Sequence, residues 1–128
     1  MPDVKWLEEP EAHDFPAAAA YLALLADDGT VKELTAKLQA GAIVNKKAKD
    51  ILRAAQLQLL PKDNPHVSAD LAKIKKGQPL SPILVVRGDF VTGAPLQIAD
   101  GYHRVCASYY TDENTDIPVV LVGWTRPH

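Results

Sequence analysis

The chain has 128 residues, of which 47% are hydrophobic and 23% charged, with a formal net charge of -2 at pH 7. These values fit one globular domain with its own core, and the overall charge does not indicate a nucleic-acid binder. One cysteine, Cys106, excludes an internal disulfide and a multi-cysteine metal cluster. The charged N-terminus is unlike a secretion signal, and no apolar run is long enough to span a bilayer. We therefore expect a single-domain cytoplasmic protein, bacterial in style, without membrane contact.

The first 56 residues are predicted to form a helical extension with little chemistry. A loose arm that contains a solvated His13 precedes a helix with Pro16 in its first turn, which runs to Ala26. Thr30 opens a second helix through a capping box, and Gly41 is expected to end it as a left-handed cap.

A third helix is predicted from about Asn45 to Gln56, because its apolar residues recur at helical spacing. It is rich in lysine and arginine: Lys46, Lys47, Lys49 and Arg53. Such a run is typical of a solvated face, and contact with DNA is the alternative.

The central segment predicts a helix start that could form one part of a ligand-binding site. Leu57–Pro61 is expected to form a short edge strand. Asn64 suits an N-cap and Pro65 the first helical position, so a helix should begin there, carry His66 in its first turn and end at Gly77. Free amides at such a helix start favour an anion.

The C-terminal half predicts three strands and a helix. Ile83–Arg87 is a continuous apolar run typical of a buried strand, and Pro95–Ala99 should return beside it. The turn Asp100–Arg104 leads into a helix that reaches Tyr110, and Ile117–Val122 is the last strand. The fold class is therefore expected to be α+β, with a small mixed sheet flanked by helices.

The turn Asp100–Arg104 is the strongest candidate for chemistry. A glycine that lets the backbone approach a ligand, followed by a helix start with a histidine and an arginine, is suited to phosphate. The alternative is an ordinary turn in which Asp100 caps the helix and His103 and Arg104 are solvated. We expect His66 and Arg104 to converge in one electropositive pocket.

From Leu57 to Val122 the order of motifs resembles the ParB/sulfiredoxin-like superfamily, and this implies a core domain at residues 57–123 with the corresponding fold. The motifs are Asn64-Pro65-His66, Gly77, Ser81-Pro82-Ile83-Leu84-Val85-Val86, Asp100-Gly101-Tyr102-His103-Arg104 and Ile117-Pro118-Val119. Together, in order and spacing, they are more specific than any one of them.

The resemblance implies a nucleotide-binding site. The ligand would be a nucleoside triphosphate or diphosphate, with Mg2+ as a further expected cofactor. Its phosphates would contact Asn64, Pro65, His66, Gly101, Tyr102, His103 and Arg104. Sulfiredoxins place their reactive cysteine where this chain has Tyr102, so sulfinate repair is disfavoured and Cys106 is expected to be a buried structural thiol. Partitioning proteins carry a helix-turn-helix region after this domain, and this chain ends at His128.

The turn itself is similar to the Asp-Gly-x-His-Arg pattern of free-serine kinases. That similarity implies catalytic roles for Asp100, His103 and Arg104, with a small-molecule acceptor. Three hypotheses follow: a nucleotide-dependent phosphotransferase or hydrolase, a non-catalytic nucleotide- or DNA-binding module, and a protein that keeps the fold without the site. No metal site is expected, because His13, His66, His103 and His128 are scattered.

Overall fold

A computed structural model describes residues 3–124, which form five α-helices and four β-strands. In chain order these are α1 (Asp14–Leu22), α2 (Asp28–Ala40), β1 (Ile43–Lys47), α3 (Ala48–Ala55), α4 (Pro65–Lys75), β2 (Ile83–Val86), β3 (Gln97–Asp100), α5 (Tyr102–Thr111) and β4 (Asp116–Val122). The four strands make one sheet in the order β1-β4-β2-β3. β4 is parallel to β2 and antiparallel to β1, and β2 is antiparallel to β3. The predicted α+β class with a mixed sheet is confirmed.

The central strand β2 of the sheet is buried on both faces. In β2, Ile83 and Val85 pack into one apolar cluster with α3, α4 and α5. Leu84 and Val86 alternate with them and pack into a second cluster with α1 and α2. All four residues are buried, which explains why this strand reads as a continuous apolar run. The sheet is thus the middle of three layers.

The structure corrects two predicted elements. The third helix begins at Ala48, and Ile43–Lys47 instead forms the edge strand β1, because its backbone pairs with β4. Sequence periodicity cannot reveal such a partner some seventy residues away in the chain. The described residues Leu57–Pro61 form no strand. This segment is held by two tyrosines of α5, whose hydroxyls donate to its backbone carbonyls.

Helix ends differ from several predictions. α1 ends at Leu22 rather than at Ala26. Asp27, not Thr30, caps α2, and its carboxylate accepts the Thr30 N–H. Gly41 is extended (φ -72°), so the left-handed cap was wrong. A Cβ on Gly41 would lie 2.6 Å from Val120 Cγ1, and close packing against β4 is what requires glycine there.

Other predictions are confirmed. Asn64 caps α4 with Pro65 at its first position, and Gly77 (φ +73°) follows the end of that helix. Ile83–Val86 is a buried strand, and Cys106 is fully buried in α5. Within residues 3–124, every helix is too short or too polar to cross a membrane.

Candidate functional site

A polar cavity of about 320 Å³ lies where the starts of α4 and α5 meet the N-terminal arm. The predicted site residues that line it are His66, Asp100, Gly101, His103 and Arg104. The further polar residues on its wall are Glu11, His13, Asp70, Lys73 and Ser81. His66 and Arg104, which are 38 residues apart in the chain, therefore face one cavity as expected.

The start of α4 contributes His66 to the cavity wall, but not the two residues before His66 in the chain. Asn64 Oδ1 accepts the backbone N–H groups of His66 and Val67 at 3.0 and 3.2 Å. These are amides that an anion would need, so the N-cap occupies the position predicted for a phosphate. Asn64 and Pro65 are not on the cavity wall. Their visible role is to begin the helix.

The start of α5 is built differently. Gly101 has φ +117°, and a Cβ there would lie 2.3 Å from Ile83 Cδ1, so the turn requires glycine. No side chain among residues 3–124 caps this helix, and Asp100 is not its N-cap. The first amides of α5 therefore have no side-chain acceptor and adjoin the cavity, as an anion site requires.

Two histidine side chains, one from each helix start, are in contact in the cavity. The ring centroids of His66 and His103 are 4.7 Å apart, and the rings are tilted by 43°. Burial and then the neighbouring His66 lower the pKa of His103 below its usual value. Tyr102 stacks on His103 at 5.8 Å but does not line the cavity, because its hydroxyl donates to the carbonyl of Gln58.

Arg104 is paired within the protein rather than solvated. Its Nη2 lies 2.8 Å from Asp100 Oδ2, and its Nη1 lies 3.7 Å from Asp14 Oδ1. Among the described residues its buried Nε has no hydrogen-bond partner. Burial raises the pKa of Asp100, and Arg104 opposes that shift. The alternative in which Asp100 caps α5 and Arg104 is solvated was therefore wrong.

Asp14 supports the site from behind the cavity wall, and the sequence did not predict this role. Its side chain is 2% exposed. Its Oδ2 accepts the Ser81 hydroxyl at 2.6 Å and the Glu11 N–H at 2.9 Å. Ser81 is 67 residues away in the chain, so no local pattern links it to Asp14. This carboxylate anchors the N-terminal arm beside Arg104.

Asp70 and Lys73 were also missed, although a local signal existed. They follow His66 on α4 at i+4 and i+7, which places all three on one face of the helix. Burial raises the pKa of Asp70, while Arg104 and Lys73 oppose the shift. Asp70 thus places a carboxylate on the cavity wall beside His66.

The sign of the cavity's charge depends on its histidines. Among the described residues, the wall carries three carboxylates (Glu11, Asp70, Asp100), two fixed cations (Lys73, Arg104) and three histidines (His13, His66, His103). With neutral histidines the wall has one net negative charge. The pocket is electropositive only when at least two histidines are protonated, so the predicted electropositive pocket stays a prediction.

The part of the chain that the structure describes contains one group of three side chains close enough to share a metal ion: Glu11, His13 and Asp14. His13 Nε2 lies 3.1 Å from Glu11 Oε2 and 3.5 Å from Asp14 Oδ1. The His13 side chain is 74% exposed, which confirms the solvated histidine, and its contacts are with the neighbours Glu11 and Asp14 in the arm. His128 lies outside the described residues.

The chain matches no protein-family model, and neither the curated proteins nor the solved structures contain a significant match. The fold and cavity define an α+β domain with a mixed sheet and a polar site at two helix starts. Functional inference therefore depends on the chemistry of that cavity.

Proposed function

We propose that the cavity binds the phosphate groups of a nucleotide and that the chain is a ParB-like nucleotide-dependent phosphotransferase or hydrolase. The observation that carries the proposal is the contact of His66 and His103 across two helix starts, beside Lys73 and Arg104. Two imidazoles, an ammonium and a guanidinium around one space supply donors for several phosphate oxygens. The order of motifs shared with the ParB/sulfiredoxin-like superfamily agrees with this assignment.

In a phosphoryl transfer, charge on the transferred group must be stabilised and the acceptor hydroxyl oriented. We assign the first role to His103 and Arg104 and the second to Asp100. Mg2+ would enter with the nucleotide and neutralise part of its charge. Asp100 fits poorly as a magnesium ligand, since its Oδ2 already accepts from Arg104. The ion is therefore assigned no ligand from this chain.

The alternative is a non-catalytic nucleotide- or DNA-binding module. The observation that favours it is the 2.8 Å pairing of Asp100 with Arg104, which commits two of the three proposed catalytic residues to each other. For DNA, the exposed Lys46 and Lys47 of the edge strand are the candidate contacts, and both lie off the cavity wall.

Calorimetric titration with ATP, ADP, CTP and GTP, with and without Mg2+, tests the binding proposal. Lys73→Gln should weaken nucleotide affinity about tenfold, as loss of one charge-assisted hydrogen bond would. The matched control is Lys75→Gln on the same helix, which does not line the cavity and should have no effect. Absence of binding by every nucleotide, or equal effects of the two variants, would overturn the proposal.

Turnover separates the enzyme from the binding module. Release of phosphate, or its transfer to a small alcohol such as serine, should be measured for the wild type and for Asp100→Asn. Phosphate release that Asp100→Asn abolishes supports the enzyme, and binding without release supports the module. A gel shift with DNA at two salt concentrations tests the lysines of β1, because contacts to the DNA backbone weaken with salt.

A further inference from the structure

A cavity that binds a strong anion needs positive charge on its wall. With neutral histidines its wall has more carboxylates than fixed cations. Asp100 holds Arg104 in an ion pair at 2.8 Å, which reduces the positive field that Arg104 presents to a ligand. Protonation of the histidines is the available way to reverse the sign of the wall.

His66 and His103 are the histidines placed to act together. Their rings are in contact, with centroids 4.7 Å apart. Two adjacent imidazolium ions repel, so a proton on one ring disfavours a proton on the other. An anion between or beside the rings removes this penalty, because it attracts both positive charges. Ligand binding and proton binding at the pair must therefore favour each other.

The surroundings of the pair contain charges of both signs. The titratable or charged groups that face it are Asp70 and Lys73 of α4, Tyr102 and Arg104 of α5, Asp100 of β3, and Glu11 and His13 of the N-terminal arm. Asp70 favours protonation of His103, whereas His66, Arg104 and burial oppose it. Burial and the neighbouring cations lower the pKa of His103, and the negative charge of a ligand would raise it again.

We propose that the His66–His103 pair takes up protons from solvent when the ligand binds, and that the cavity thereby selects the dianion of a phosphate monoester over the monoanion of a phosphodiester. The inference rests on the proposed phosphate site and specifies its ligand as a terminal phosphate, such as that of a nucleotide. A dianion can neutralise two imidazolium rings, whereas a diester leaves one positive charge without a partner. No covalent bond changes in this step.

Calorimetry with methyl phosphate and dimethyl phosphate at pH 7.5 tests the proposal in two buffers of different protonation enthalpy. Methyl phosphate is mostly dianionic at this pH, since the second pKa of such esters is about 6. The buffer dependence of the heat should correspond to net uptake of protons, at most about two per methyl phosphate bound, because the dianion favours an imidazolium ion on each ring. Dimethyl phosphate should bind at least about tenfold more weakly.

His66→Gln and His103→Gln should each reduce proton uptake by about half or more, because one ring of the pair is lost. Lys75→Gln is the control, because Lys75 is on α4 but off the cavity wall, and it should retain uptake. A third measurement needs no ligand: in imidazole NMR titrations, His66→Gln should raise the apparent pKa of His103, since it removes a neighbour that lowers it.

The outcomes separate this inference from the proposed function. Binding of methyl phosphate without proton uptake, or equal binding of the two esters, would overturn the inference and leave the phosphate site standing. So would a His103 titration that His66→Gln leaves unchanged. If neither ester nor any nucleotide binds, the phosphate site itself is overturned.

Discussion

The two helix starts at the cavity differ in how the protein satisfies their first backbone amides. At α4, the Asn64 side chain satisfies the amides of His66 and Val67. At α5, Gly101 precedes the helix, and no side chain in the described part of the chain caps it. A helix start is therefore an anion site only where its amides lack an acceptor of the protein's own. The backbone of α5 and the side chain of His66 are the parts of the two junctions that remain for a ligand.

Replacement of the glycine at the α5 junction should have the largest effect. Gly101→Ala places a Cβ 2.3 Å from Ile83 Cδ1 at φ +117°, so we expect a loss of about 4 kcal/mol in unfolding free energy from combined overpacking and backbone strain. Gly93→Ala is the matched control, since it also has positive φ (+78°) but no described atom within 4 Å of the added Cβ. It should cost about 1 kcal/mol. Equal costs in urea denaturation would contradict the close-approach argument.

Removal of the α5 guanidinium should have the next largest effect. Arg104→Met leaves Asp100 and the buried Asp14 without their cation, and breaking such a pair costs about 3 kcal/mol. Arg53→Met removes an exposed ion pair with Asp50 and should cost less than about 0.5 kcal/mol. The double variant Arg104→Met, Asp100→Asn should recover part of the loss. A stability equal to that of Arg53→Met would show that the pair contributes little.

The α4 junction should respond in stability but not in ligand affinity. Asn64→Ala removes an N-cap and should cost about 1 kcal/mol in chemical denaturation. Asp27→Ala, which removes the N-cap of α2, should cost a similar amount. Neither variant should change the affinity for methyl phosphate. A large loss of affinity confined to Asn64→Ala would restore Asn64 as a direct phosphate ligand, as the resemblance implies.

The smallest expected effect is that of replacing Asp70, which lies on the part of the cavity wall formed by α4, and it depends on pH. Burial raises the pKa of Asp70, so the folded state holds its proton more tightly than the unfolded state does. Stability should therefore fall as pH rises from the ordinary value near 3.8 through the raised one. Asp70→Asn should unfold at a higher temperature than the wild type at pH 7 and at the same temperature at pH 3.

Asp50→Asn on α3 is the matched control for Asp70→Asn, since the Asp50 side chain is 48% exposed. It should not reproduce the gain in thermal stability at pH 7. A lower unfolding temperature for Asp70→Asn at pH 7 would mean that the attraction of Asp70 to its cationic neighbours outweighs its burial.

Sequence patterns predicted those parts of the site that depend only on residues close together in the chain. Asn64 and Pro65 form a helix start because one caps amides and the other has a suitable φ, and both properties belong to neighbours in sequence. The predicted helix over Asn45–Lys47 failed because the backbone of this stretch pairs with β4, which is distant in sequence. The role of Asp14 was missed for the same reason, since its partners Ser81 and Arg104 come from other elements.

By itself, the sequence determined the α+β class, the buried strand Ile83–Val86, the start of α4 and the glycine turn at Gly101, because apolar periodicity and backbone preference act over a few residues. The tertiary structure alone decided that β1 is a strand, that Arg104 is paired with carboxylates, and that the rings of His66 and His103 touch. Strand pairing, charge pairing and ring contact depend on which distant segments the packed core brings together. The charge that the cavity presents to a ligand follows from those contacts.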